Sequence, residues 1–427
     1  MTSAAPEPTA IEEAAKAIRR QGAVAAARTL VAYPWQRLRT GELGALPVIL
    51  GLTIIWTYFQ TQESVFLSAR NLSNLVLQIS VTGTIAIGIV LVLLLGEIDL
   101  SVGSVAILCS AVLGSLVVRH DMTWWVAIVL MVGLGVAIGV FQGFWFAVIG
   151  VPSFVVTLAG LLGWQGVQQR VLGTEGTINV FESHISGITT TFLPEVWGWI
   201  LAIGVSGLYA VTRIQEQLRR RRADLPAQPL VVVVTRTVLI AAIALVSVAL
   251  LNGSFKNRWV FGDYDLGVPT AGVILLALVI FFSWLMKRTR FGRYVYAVGG
   301  NAEAARRAGI NVALIRITVF ALAGGLAATG GLIQTSRLGA SSLAVDPGPV
   351  TLEAIAAAVI GGTSLFGGRG FIGSALLGAL VIGSVSNGLD LQTQPSYVKL
   401  IVEGAILLAA VTLDAIARRG RAAAGRE

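Results

Sequence analysis

Lys287–Arg316 reads KRTRFGRYVYAVGGNAEAARRAGINVALIR, a polar stretch between two hydrophobic runs. Its reading decides the fold, because the sequence on either side suits lipid and this segment does not. Asn301 is placed to cap a helix, where a side-chain oxygen accepts from amides that the first turn leaves unpaired. Glu303 suits the positive end of the helix dipole, and Arg306 and Arg307 suit its negative end. Gly309 can adopt the left-handed conformation that stops a helix. The expectation is a self-contained helix of about two turns, roughly 10 Å long. Such a helix between two membrane spans has no core of its own, so it either lies on the bilayer surface or docks into a groove on a partner.

The rest of the chain sets the class. It is 55% hydrophobic and 12% charged, about half the charge of a soluble domain, which excludes a soluble globular protein. The net charge of +9 does not argue for nucleic acid, because the basic residues cluster between apolar runs. Cys109 is the single cysteine and cannot form an internal disulfide. His120 and His184 are too far apart for a metal-binding HExxH helix, and none of the four lysines, Lys16, Lys256, Lys287 and Lys399, follows a glycine as a phosphate-cradling P-loop requires. No GxSxG nucleophile elbow is present. No cofactor, no metal and no catalytic activity are expected. Met1–Thr40 carries Pro6, Glu12 and Glu13 where a signal peptide needs an apolar core.

Runs near the ~20 residues that cross a bilayer recur along the whole chain, which predicts an all-α polytopic membrane protein. About twelve candidate crossings can be drawn: 43–59, 72–95, 99–118, 124–150, 152–172, 196–214, 230–251, 268–286, 317–335, 350–365, 371–386 and 397–416. The tenth and eleventh are short, rich in Ala and Gly, and separated by Gly367, Gly368 and Gly370, so re-entrant or half-helices are an open alternative there. Basic clusters at 16–39, 213–222, 287–316 and 418–426 share one side if the N-terminus is inside. Positive charge favours the cytoplasm, so both termini and the 287–316 loop are expected there. Residues 1–42 then form a basic arm, 43–417 the transmembrane domain and 418–427 a basic tail. Within the arm, Ile11–Ala32 either lies on the inner leaflet or is a frayed tail.

Small residues mark helix contacts. Gly135, Gly139 and Gly143 line one face, and Ser374 and Gly378 repeat the spacing. Such stripes let backbones approach closely in lipid, for internal packing or for a dimer seam. A weak internal repeat relates Gly96–Ser104 to Gly367–Ser374.

Two polar groups interrupt the apolar runs. Glu97, Asp99 and Ser101 lie in the turn GEIDLSVGS, 96–104, and carboxylates at membrane depth cost about 2.5–3.5 kcal/mol each. In one reading Asp99 or Ser101 caps the third span and Glu97 faces water; in the other the turn borders a transport path. Gln165, Gln168, Gln169 and Arg170 end the fifth span, either bonding a neighbouring helix or lining a wet path. Thr174, Glu175, Thr177 and Asn179 follow in a loop that either receives an external docking partner or is generic loop chemistry.

The segment Gly299-Gly300-Asn301-x-Glu303-Ala304-Ala305-Arg306-x-x-Gly309-Ile310-Asn311-Val312 resembles the cytoplasmic coupling loop of ABC-type sugar importer permeases of the ribose, arabinose and xylose branch. Glu97–Ser104, Val151–Gly160 and Ile360–Ser364 are similar to that branch as well, so the likeness covers most of the chain. Glu97, and the two extra spans over 196–251, resemble xylose-type permeases; the basic N-terminal arm is longer than that pattern. The resemblance implies a homodimer in the bacterial inner membrane with its path near the two-fold axis. It further implies a separate ABC ATPase subunit gripping 301–309 and an extracytoplasmic sugar-binding protein delivering a monosaccharide. Gly300, Asn301, Glu303, Ala304, Ala305, Arg306 and Gly309 would then form the coupling element, with Glu97, Asp99, Ser101, Gln165 and Gln168 as path candidates. The alternative is an ion-coupled secondary transporter using Glu97 or Asp99 as a relay.

Overall fold

A computed structural model describes residues 46–223, 230–253 and 267–423. The expected arm over 1–42, the end of the basic tail and the loop residues Pro226, Pro229, Lys256 and Arg258 lie outside them. The order begins with α1 (Leu46–Gln62), α2 (Ala69–Leu94), α3 (Val102–Gly114), α4 (Trp124–Phe144), α5 (Ser153–Leu172), β1 (Thr177–Asn179) and α6 (Gly187–Thr190). It continues through β2 (Phe192–Leu193), α7 (Glu195–Arg222), α8 (Leu230–Leu251), β3 (Val268–Pro269), α9 (Thr270–Arg288), α10 (Arg290–Gly300) and α11 (Ala302–Arg307). It closes with α12 (Val312–Leu338), β4 (Ala340–Ser342), α13 (Pro347–Ile360), α14 (Gly373–Leu391) and α15 (Ser396–Ala423). Single π turns prolong α3 over Ser115–Arg119 and α4 over Trp145–Ile149.

Eight helices among the described residues are long and apolar enough to cross a membrane: α2, α3 with its π turn, α4, α7, α8, α9, α12 and α14. The two stretches read as short or re-entrant part company. Residues 371–386 fall on α14, with 19 residues. Residues 350–365 fall on α13, whose 14 residues reach about 21 Å against a hydrocarbon core of about 30 Å. The helix α5 has the length to cross, 20 residues, but its glutamines and arginine leave it outside the eight.

The chain is mostly helical, as expected, with short extended segments in its loops. Two small antiparallel pairs occur, β1 with β4 (Thr177↔Ser342 to Asn179↔Ala340) and β2 with β3 (Phe192↔Pro269, Leu193↔Val268). Backbone that leaves a helix needs hydrogen-bond partners, and these loop segments supply them to one another.

By its internal contacts the chain divides into one unit of residues 1–44, 199–248 and 420–427 and another of 45–198 and 249–419. Within the first, the basic cluster is partly neutralised on its own helix: Glu216 pairs with Arg213 at 2.9 Å and Arg220 at 3.3 Å.

The second unit is built around α12, which packs on α2, α3 and α4. The glycine stripe explains the closest of these contacts. A Cβ at Gly139 would fall on the Phe320 carbonyl and one at Gly324 on the Gly135 carbonyl, so α4 and α12 meet backbone to backbone. Here the stripe serves internal packing. The Ser374–Gly378 stripe does the same for α13 and α14, since Gly378 abuts the Ala357 carbonyl. Burial differs among the unit's spans, 78% for α2 against 28% for α4. Some buried polar groups are paired between distant elements. Asn71 Nδ2 donates to Asn387 Oδ1 at 2.7 Å, and Ser341 Oγ donates to the Ser110 carbonyl at 2.7 Å.

Candidate coupling site and the carboxylate turn

Asn301 caps α11 as its chemistry requires: its Oδ1 accepts from the Ala304 amide at 2.9 Å. Six residues later the helix stops. The Gly309 amide donates to the Arg306 carbonyl at 3.0 Å, the Ile310 amide to Ala305 at 3.1 Å, and Gly309 has φ 83°, a conformation a β-branched residue resists. Glu303 bonds Arg306 at 2.8 Å and Arg307 at 3.3 Å, yet its side chain remains 56% exposed. Gly300, Asn301, Ala304, Arg306 and Gly309 are exposed as well, whereas Ala305 is buried. The exposed surface is therefore made by Ala304 and its charged neighbours.

The loop holds more than the expected short helix. Residues 290–300 form a second helix, α10, capped by Thr289 Oγ1 accepting from the Gly292 amide at 3.3 Å. This helix docks on the membrane unit. A Cβ at Gly299 would collide with the Leu94 carbonyl, the Gly368 amide donates to that carbonyl at 2.9 Å, and Tyr296 Oη donates to the Gly370 carbonyl at 2.9 Å. The polar breaks at 96 and 367 thus meet each other and the 287–316 loop. Three glycine-rich turns can converge this closely because none presents a side chain.

The turn between α2 and α3 is closed. Asp99 Oδ1 accepts from the Ser101 amide at 2.8 Å and the Ser101 hydroxyl at 2.7 Å. Gln142 Nε2, on α4, donates to Ser101 Oγ at 2.8 Å. Neither Asp99 nor Ser101 caps α3 in the expected manner, since Ser101 makes no side-chain cap bond. The unpaired Gly103 amide instead donates to Thr351 Oγ1 of α13 at 3.0 Å.

Glu97 does not simply face water, a second correction. Ser153 Oγ donates to its Oε2 at 2.7 Å, and Arg316 Nη2 reaches its Oε1 at 3.3 Å. Burial raises its carboxyl above the ordinary range, while the Ser153 bond and the Arg316 charge pull it back.

The fifth-span amides stand apart from this turn. Gln165 is half-buried; Gln168 is buried, and its Nε2 has no hydrogen-bond partner among the described residues. A cleft of about 340 Å³, counting its open mouth, lies among α2, α3, α12 and α13, lined by residues including Ser110, Gln334 and Ser342. On the loop beyond α5, Glu175 pairs with Arg119 at 3.1 Å, and Thr177 and Asn179 lie in β1.

Gln142, Ser153, Arg316, Thr351 and Tyr296 were missed by the sequence reading. Gln142 and Arg316 gave a signal, a polar side chain inside or at the edge of an apolar run. Ser153 lay within the Val151–Gly160 motif without being singled out, and Thr351 and Tyr296 gave no signal.

A family model described as branched-chain amino acid transport system / permease component matches residues 71–411. The chain is 39% identical to the xylose transport system permease protein XylH of Escherichia coli (strain K12), over 90% of this chain and 94% of that protein. The corresponding XylH of Haemophilus influenzae is 38% identical over 88% of this chain and 98% of its own length. The ribose import permease protein RbsC of Escherichia coli (strain K12) is 32% identical over 86% and 92%. No solved structure matches the chain. With a family model covering most of its length and relatives of this identity along it, the chain belongs to the branched-chain amino acid transport system / permease component family.

Proposed function

We infer that the protein is the transmembrane subunit of an ATP-driven ABC importer that moves a monosaccharide, xylose or a related pentose, across the bacterial inner membrane. The observation that carries this reading is α11, a short helix capped at both ends, exposed at Glu303 and Ala304, and seated on the membrane unit through α10. Small side chains permit close approach to a groove while the charges set register, so 301–309 is the element that a separate ATPase subunit grips. The 39% identity to a xylose permease supports the substrate class. In this reading two copies form the path, a sugar-binding protein delivers the ligand at the opposite end, and the 287–316 loop and both termini lie in the cytoplasm. The turns at 95–101 and 366–370 meet this loop, and Ser153 meets the first of them through Glu97, which fits their sharing one side.

The test is reconstitution in vesicles with a separate ABC ATPase subunit and a sugar-binding protein, following labelled xylose. Uptake that requires ATP and survives an uncoupler is the expected result. Uptake that collapses with the uncoupler while ATP is held constant would overturn the reading in favour of ion coupling through Glu97 or Asp99.

A further inference from the structure

Arg316, in the first turn of α12, ends the coupling loop and joins three other parts of the membrane unit. Its guanidinium pairs with Glu97 of the α2–α3 turn at 3.3 Å and lies over the Phe146 ring, in the π turn ending α4, at 4.5 Å. Glu97 in turn accepts from Ser153, the first residue of α5, at 2.7 Å. Both charged side chains are largely shielded, 23% exposed for Arg316 and 18% for Glu97. Arg316 Nε is buried with no hydrogen-bond partner among the described residues. A shielded ion pair that leaves a donor unsatisfied is poorly built for stability, because desolvation offsets most of its attraction. Its better-attested use is to hold two elements in register or to switch between registers.

We propose that the Glu97–Arg316 pair is the positioning link through which displacement of α11 is passed to α3, α4 and α5. The proposal rests on the coupling role of 301–309. The other attachment of the loop, Gly299 against the Leu94 carbonyl, reaches the end of α2 and the Gly368 turn through backbone packing. Arg316 supplies an attachment to the helices beyond, since it bonds Glu97 on the α2–α3 turn and lies over Phe146 at the end of α4. Moving the start of α12 drags Glu97, and with it the Ser153 end of α5, while Phe146 moves with the ring face that covers the guanidinium.

The experiment compares wild type, Glu97→Gln, Arg316→Gln and the exchanged pair Glu97→Arg/Arg316→Glu in vesicles holding the ATPase and binding protein, reading labelled xylose taken up per ATP hydrolysed. Each single variant should still pull down the ATPase and hydrolyse ATP within about twofold of wild type, yet move about tenfold less sugar per ATP, and the exchanged pair should recover a large part of the loss. Ser153→Ala leaves both charges in place and serves if a single variant fails to insert; its expected effect is a twofold to threefold loss of coupling, on the order of one hydrogen bond. Wild-type sugar per ATP in the single variants, or in Ser153→Ala where those do not insert, overturns the link. Wild-type protein that fails to bind the ATPase would instead overturn the coupling reading itself.

Discussion

Glu303 and Asp99 are both acids in polar breaks of the same membrane unit, and the structure treats them in opposite ways. Glu303 is satisfied by Arg306 and Arg307 of its own helix, and its side chain stays 56% exposed. Asp99 is 4% exposed, and one of its oxygens holds both the amide and the hydroxyl of Ser101. An acid whose partners are local leaves a surface free for another protein. One whose bonds close a buried turn is committed to the fold. Glu97 lies between these extremes, half-buried and bonded to two distant elements.

The sharpest way to break the comparison is at α11. Gly309→Val forces a β-branched residue to φ 83°, and Glu303→Arg reverses charge at the helix start. Both should insert and melt as wild type yet lose ATPase pull-down, with uptake falling at least about tenfold, about 1.4 kcal/mol of coupling. Full ATPase binding and full uptake in both variants would reduce the loop to topology.

Next in size is Asp99→Ala, which strands the buried Ser101 amide and leaves the Ser101 hydroxyl to Gln142 alone. It should lower stability by about 1–3 kcal/mol, seen in melts of detergent-solubilised protein, while α11 still binds the ATPase. Loss of ATPase binding at unchanged stability would erase the distinction between the two acids.

Thr351→Val sharpens the same point at lower cost. It removes the acceptor for the Gly103 amide with little change in shape, and should cost about 1 kcal/mol by the same melts. An unchanged midpoint would mean that the turn does not depend on its bond to α13.

The smallest effect concerns pH. Burial raises the Glu97 carboxyl, so the folded chain keeps a proton there over a window in which the unfolded chain has lost it. The stability this group contributes is present below the ordinary carboxylate value and is lost as pH rises through the raised one. Glu97→Gln should flatten that part of the stability curve, measured as melting midpoints of the two proteins across the acidic range. Parallel curves would place Glu97 with Glu303, as an acid the fold does not enclose.

Much of the fold was legible from residue order. Asn301 and Gly309 end α11 where their cap chemistry says they should, because a cap involves groups only three or four residues apart. The glycine stripe of α4 was legible as a packing face, since i, i+4 spacing is a property of the helix itself. Its partner was not: nothing in Gly135, Gly139 and Gly143 names α12. That residues 290–300 form a second helix beside α11 was not legible, for the same reason. Tyr296 and Gly299 carry no local sign that they bond to Gly370 and pack on Leu94.

Read alone, the order of residues settles that this chain is a membrane protein with a capped polar helix between two spans, and its motifs point to a transport family. Those properties depend on composition, periodicity and neighbours within a few positions. The tertiary structure decided that Glu97 meets Arg316 across 219 positions, that Thr351 serves Gly103 across 248, and that three glycine-rich turns share one junction. In lipid the apolar faces of helices are nearly interchangeable, so which helix packs on which, and hence which polar groups meet, is set by the shape of the assembled bundle.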